Sequence, residues 1–258
     1  MKLELKSGTL SYIDQGDGPA VLLIHAFPLN NTMWAPQMSA LSARFRVIAP
    51  DIRGFGESQP PSPWTMHEMA DALHQLLDAL GISNVAVVGV SMGGYIGLTF
   101  WWKYPERVRK IVHANSRARA DNDTEKASRN DMIAALQQRG SAILPERMLP
   151  RLLQPNPNPE VLRTVRSMIE GVNSSAAAYA VMAMRDRIDF SSMLHRLQCP
   201  VMVVTGENDA IIRVEDAHAL SEWIAGARFV KIPNSGHLSN LENPEAFNAA
   251  LLDFLSEI

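Results

Sequence analysis

The sequence predicts an α/β protein: a mostly parallel central sheet flanked by helices, with a helical segment inserted before the last two strands. Three observations lead there. Short runs rich in Val and Ile are nearly continuous rather than alternating, as strands covered on both faces are. Between them lie stretches with the 3.6-residue period of amphipathic helices. From about Ser116 to Phe190 the strand-like runs stop, and they resume at Pro200. Alternation at both ends of the chain with one interruption describes a parallel sheet carrying an insertion, not two domains in tandem.

Taken in order, the amino terminus "MKLELKSGTLSYIDQGDGPA" alternates charged and apolar residues. It lacks the apolar core of a secretory signal, so a cytoplasmic location is expected. The strand candidates are "AVLLIH" at 20–25, "FRVIAP" at 45–50, "VAVVGV" at 85–90, "VRKIVHA" at 108–114, "VMVVTG" at 201–206 and "RFVKIP" at 228–233. A helix is predicted from Thr65 to Leu80. Met69, Leu73, Leu76, Leu77 and Leu80 form its stripe, Thr65 and Glu68 its capping box, and Gly81 its end. The last helix opens "NPEAF", with Asn243 as cap and Pro244 in the first turn. Residues 1–115 and 191–258 then form the core, and 116–190 a helical cap placed to act as a lid.

The chain has 258 residues, 47% hydrophobic and 20% charged, enough for one large core. Net charge is −3 with Lys and Arg scattered, which gives no footprint for nucleic acid and none for an anionic membrane. Cys199 is the single cysteine, so no internal disulfide can form, and beside Pro200 it reads as a structural thiol. No phosphate-binding glycine loop and no ligand-like histidine spacing occurs, so no cofactor and no metal is expected. The expected partner is a small molecule; nothing in the sequence sets the oligomeric state.

The chemistry concentrates at "VVGVSMGG". Gly89, Ser91 and Gly93 satisfy G-x-S-x-G between a buried strand and a helix. The turn is too tight for side chains two residues either side of the serine. Such a serine needs a base, and the base an orienting acid. His237 follows the last strand candidate in "IPNSGHLSN", and Asp209 follows the one before in "VMVVTGENDAII". Loops at the carboxyl ends of parallel strands converge on one crevice, so these three can meet. Glu207 is the rival acid. The amides of Phe27, in "HAFPLNNTMW", and of Met92 are the candidate oxyanion donors. His25 is read as a loop-shaping hydrogen bonder. Met148, Met168, Met182, Met184 and Met193 lie in or beside the insertion and read as core fillers ahead of an adaptable pocket lining, and Arg185 and Arg187 are expected to sit on a solvated face or pair with Asp186 and Asp189 rather than meet a substrate carboxylate.

The blocks "HAFP", "DIRGFGES", "GVSMGG", "GENDAII" and "SGHLSNLENPEAF" resemble those of the α/β-hydrolase superfamily. "YPERV" and the composition of the insertion further resemble the branch of 3-oxoadipate enol-lactonases and small carboxylesterases. The resemblance implies the α/β-hydrolase fold and a Ser91, His237, Asp209 triad that cleaves esters or lactones through an acyl-enzyme. Two alternatives stay open: cofactor-free haloperoxidase or perhydrolase activity on the same triad, and a receptor-like homologue with little turnover.

Overall fold

The computed structural model describes residues 1–6 and 8–256. The chain opens with β1 (Lys2–Leu5) and β2 (Gly8–Gln15), then β3 (Ala20–Ile24), α1 (Ala35–Leu41) and β4 (Arg46–Pro50). Next come α2 (Met66–Ala79), β5 (Val85–Val90), α3 (Met92–Lys103) and β6 (Val108–Ala114). Four helices separate β6 from the rest of the sheet: α4 (Asp123–Arg139), α5 (Leu144–Leu152), α6 (Pro159–Glu170) and α7 (Ser174–Arg185). The chain closes with β7 (Val201–Gly206), α8 (Val214–Glu222), β8 (Arg228–Ile232), α9 (Ser239–Glu242) and α10 (Pro244–Ser256).

The strands form one 8-stranded sheet among the described residues, ordered β1-β2-β4-β3-β5-β6-β7-β8. The pairs from β4 to β8 are parallel, while β1 and β2 attach antiparallel at one edge. Every position of β5 and of β7 is buried, which explains their unbroken apolar runs. Each Val or Ile so buried contributes about 1.5–3 kcal/mol of hydrophobic stabilisation. The expected α/β architecture is the observed one, with two strands more than the six apolar runs predicted. β1 and β2 escaped because β1 alternates: Leu3 and Leu5 are half-buried while Lys2 and Glu4 are exposed, as at the edge of a sheet.

Local signals act as read. Thr65 accepts the Glu68 amide at 3.2 Å while Glu68 accepts the Thr65 amide at 2.7 Å, closing the capping box of α2. Asn243 accepts the Ala246 amide at 3.2 Å at the start of α10. Between β6 and β7, Asn122, Asn158 and Asn173 cap α4, α6 and α7. Among the described residues, no helix is long and apolar enough to cross a membrane, and no cluster of His, Cys, Asp and Glu could hold a metal ion. Burial pushes the Cys199 thiol up to about 11, so it is protonated at neutral pH.

Candidate active site

β5 delivers its chain to a turn at Ser91, whose φ of 55° and ψ of −115° put a non-glycine residue in positive-φ space. The surroundings hold it there. A Cβ on Gly93 would strike the Ile24 carbonyl oxygen, and one on Gly89 the Gly93 carbonyl oxygen. The Ser91 amide donates to the Ala114 carbonyl at 2.9 Å, and Ser116 Oγ donates to the Ser91 carbonyl at 2.8 Å. α3 begins at the next residue, so the positive end of its dipole lies beside the hydroxyl.

Asp209 follows β7 and His237 follows β8, and the parallel pairing of these strands brings the two loops together. His237 Nδ1 lies 3.0 Å from Asp209 Oδ1 and 2.9 Å from Oδ2. A carboxylate only accepts, so Nδ1 carries the hydrogen and Nε2 presents a lone pair. Nε2 is buried without a hydrogen-bond partner. Oδ1 also accepts the amides of Ile211 and Ile212 at 2.8 and 2.9 Å, and Oδ2 accepts Asn115 Nδ2 at 2.9 Å. Burial alone would raise this carboxyl, but the charge and hydrogen bond of His237, with the Asn115 and Ile212 donors, outweigh it and hold the carboxyl below its ordinary value. It is an anion at neutral pH.

Ser91, His237, Phe27 and Tyr95 line one cavity of about 160 Å³. No hydrogen bond joins Ser91 Oγ to His237 Nε2. Among the described residues, neither the Phe27 amide nor the Met92 amide donates to a protein acceptor; Met92 directly follows Ser91 and Phe27 lines the same cavity. His25 has both ring nitrogens engaged, Nε2 accepting the Ile52 amide at 2.9 Å and Nδ1 bonded to the Ala26 carbonyl at 2.9 Å, so it shapes the loop that carries Phe27. Burial keeps it neutral by lowering its pKa. Glu207 is exposed and pairs with Lys231 at 3.3 Å and with the Asn234 amide at 3.2 Å, away from the histidine.

The rest of the cavity wall comes from the segment after β6. Met132, Met148 and Met184 supply apolar surface, so two of the five methionines singled out in the sequence face the cavity, joined by Met132. Arg117, Arg129 and Arg151 supply charge, with Asp121 and Glu125 among them. Glu125 binds Arg119 at 2.5 Å and Arg117 at 3.2 Å, and the Arg119 hydrogen bond leads in holding its carboxyl down to about 2. Asp121 binds Arg187 at 2.8 Å and Arg129 at 3.0 Å. Arg187 is therefore not the partner of Asp189, which instead accepts the Ser191 amide at 2.8 Å; burial at 3% exposure drew Arg187 inward over the Tyr95 ring, 4.1 Å from its centroid. Arg185 does pair with Asp186, at 2.7 Å. Arg151 has no acidic partner among the described residues.

Sequence reasoning missed Asn115, which donates to both Asp209 and the Gly236 carbonyl while accepting Ser239 Oγ at 2.6 Å. The available signal was an Asn directly after a buried parallel strand, a residue that tolerates the positive φ of 47° found there.

The sequence matches the family described as alpha/beta hydrolase fold over residues 19–244. It is 32% identical to the "Putative carbamate hydrolase RutD" of Caulobacter sp. (strain K31), over 98% of each chain. It is 27% identical to 3-oxoadipate enol-lactonase 2 of Acinetobacter baylyi, over 92% of this chain and 88% of the relative. Among solved structures it is similar to a malate-bound thermophilic esterase from Thermogutta terrifontis, with TM-score 0.94 and 37% identity over 99% of this chain and 97% of that one.

Proposed function

On the premise that this chain belongs to the alpha/beta hydrolase fold family, we propose that it is a serine hydrolase of small carboxylic esters or lactones. The observation that carries this reading is the doubly held His237, whose Nδ1 is gripped by both Asp209 oxygens while Nε2 stays buried and unpaired in the cavity that Ser91 lines. In this reading Nε2 takes the Ser91 proton as Oγ attacks the carbonyl carbon. The free amides of Phe27 and Met92 receive the charge that builds on the carbonyl oxygen, each worth about 3 kcal/mol of barrier. Collapse expels the alcohol with the proton from His237 and leaves an acyl-serine. A water deprotonated by the same nitrogen then releases the acid. Asp209, held as an anion, stabilises the imidazolium in both halves.

The segment 116–190 acts as the cap over this chemistry and selects the substrate. A volume of about 160 Å³ suits a short acyl group. The arginines of the wall outnumber its acids, and Arg151 is left to pair with a carboxylate on the substrate. The names of the relatives agree with small, carboxylate-bearing compounds, one being an enol-lactonase and one an esterase solved with malate.

The test is steady-state hydrolysis of nitrophenyl esters from acetate to decanoate and of small lactones, with Ser91→Ala as blank. Repeated turnover that vanishes in the variant is expected, falling off with longer chains. A single burst with retained product would instead indicate a receptor. Monomethyl succinate against methyl pentanoate, in wild type and Arg151→Gln, checks the substrate charge: only the anionic ester should lose kcat/KM in the variant.

A further inference from the structure

Residues 152–154, where α5 ends, are sewn to the loops that carry Asp209 and His237. Leu238, on one side of the histidine, donates its amide to the Leu152 carbonyl at 3.1 Å. Gly236, on the other side, donates its amide to Glu242 Oε2 at 2.7 Å, and the second oxygen of the same carboxylate accepts the Gln154 amide at 2.8 Å. The Gln154 side chain in turn accepts Asn208 Nδ2 at 3.1 Å, directly before Asp209, and the Asn208 amide donates to the Ser235 carbonyl at 2.8 Å. The backbones lie so close that a Cβ on Gly236 would meet Gln154 N at 2.6 Å. Glu242 itself is half-buried in α9, five residues after the histidine.

We propose that Glu242 is a positioning residue: by holding the amides of Gly236 and Gln154 with its two oxygens, it sets the His237 backbone against the end of α5. The placement of the imidazole then depends on how the helical segment is docked. α5 also contributes Met148 and Leu152 to the cavity wall, so a group bound there presses on the element that locates the base. The inference rests on the reading of His237 as the base of a serine hydrolase. Only a carboxylate does this well, because both acceptors are needed at once and each faces a donor with no other partner; an amide would aim its own hydrogens at one of the two N–H groups.

The experiment compares wild type, Glu242→Gln and Glu242→Asp on nitrophenyl acetate, with the rate at which a fluorophosphonate labels Ser91 measured alongside. Glu242→Gln is expected to lower kcat about ten- to hundredfold with KM within about twofold, the loss that misplacing a catalytic group produces. The labelling rate should fall in parallel, and Glu242→Asp, which keeps two acceptors, should recover part of both. If Glu242→Gln does not fold, Gln154→Pro removes the same amide from the other side. The extended Leu153, at φ −111° and ψ 152°, accepts a following proline. Wild-type kcat and labelling in these variants would overturn the proposal, as would a rise in KM matching the fall in kcat. Absence of ester turnover in wild type would defeat the hydrolase reading alone, since Ser91 labelling still reports the coupling.

Discussion

The sheet and the stretch that leads from β6 into α4 are held by different chemistry. β5 and β7 are buried at every position, with apolar side chains on both faces. α4, by contrast, has only Ile133, Ala135 and Leu136 fully buried in its seventeen residues, and the stretch leading into it is tied down by Asp121 and Glu125 to four arginines. Apolar packing is dense and shape-specific, so it fixes the strand ends where Ser91, Asp209 and His237 sit. Ion pairs are directional but expensive to desolvate, and the Asp121–Arg187 pair, at 1% and 3% side-chain exposure, offsets that cost by setting charge against charge beside the cavity wall. The strand ends that carry Ser91, Asp209 and His237 and the charged part of the cavity wall thus differ in physical origin.

That separation can be broken most directly by crossing rate with stability. Asp209→Asn, on the rim of the sheet, is expected to lower kcat on a neutral nitrophenyl ester by about a thousand- to ten-thousandfold, because a neutral amide no longer stabilises the imidazolium or fixes its tautomer. Its thermal midpoint should change far less than its rate. A rate within tenfold of wild type would remove Asp209 from the proposed chemistry.

Asp121→Asn, in the charged part of the wall, should do the reverse. It leaves Arg187, at 3% side-chain exposure, buried beside no charge, which costs about 3 kcal/mol in denaturant unfolding. Adding Arg187→Met should recover most of that loss, since replacing a buried pair by apolar groups is near neutral. Losses that simply add in the double variant would show that the two residues do not act as a pair.

An effect that is absent at neutral pH and grows only on acidification sharpens the contrast from the side of the core. His113 lies buried in β6, and burial pushes its imidazole from 6.5 down to about 4. The unfolded chain takes up this proton near 6.5 and the folded chain only near 4. Stability therefore falls as pH drops between those values, by up to about 3 kcal/mol, and is unaffected by this group above them. Measuring unfolding free energy from pH 7 to pH 4 in wild type and His113→Leu should show the slope flattened in the variant. An unchanged slope would place the acid sensitivity elsewhere.

Much of the frame was legible in the sequence because each part is encoded locally. Continuous Val and Ile runs mark strands covered on both faces, Thr65 with Glu68 and Asn243 with Pro244 mark helix starts, and glycines around Ser91 mark a turn with no room for Cβ atoms. Chain order with strand-end placement was enough to nominate Ser91, Asp209 and His237 and to rank Glu207 behind Asp209. The edge strands β1 and β2 were not legible as strands, since alternating residues in a short charged stretch fit several structures equally.

What the sequence determined by itself is therefore the local vocabulary: which stretches are strands, where helices begin, and which hydroxyl stands on a turn built for it. The tertiary structure alone decided the partnerships. Arg187 chose Asp121, sixty-odd positions away, over the neighbouring Asp189; Asn115 reached Asp209; Glu242 joined the His237 loop to the end of α5. Hydrophobic periodicity and backbone sterics act over a few residues and leave their mark in the sequence. A hydrogen bond between distant side chains depends on where the sheet and helices finally set them, to within an ångström, and no local pattern records that distance.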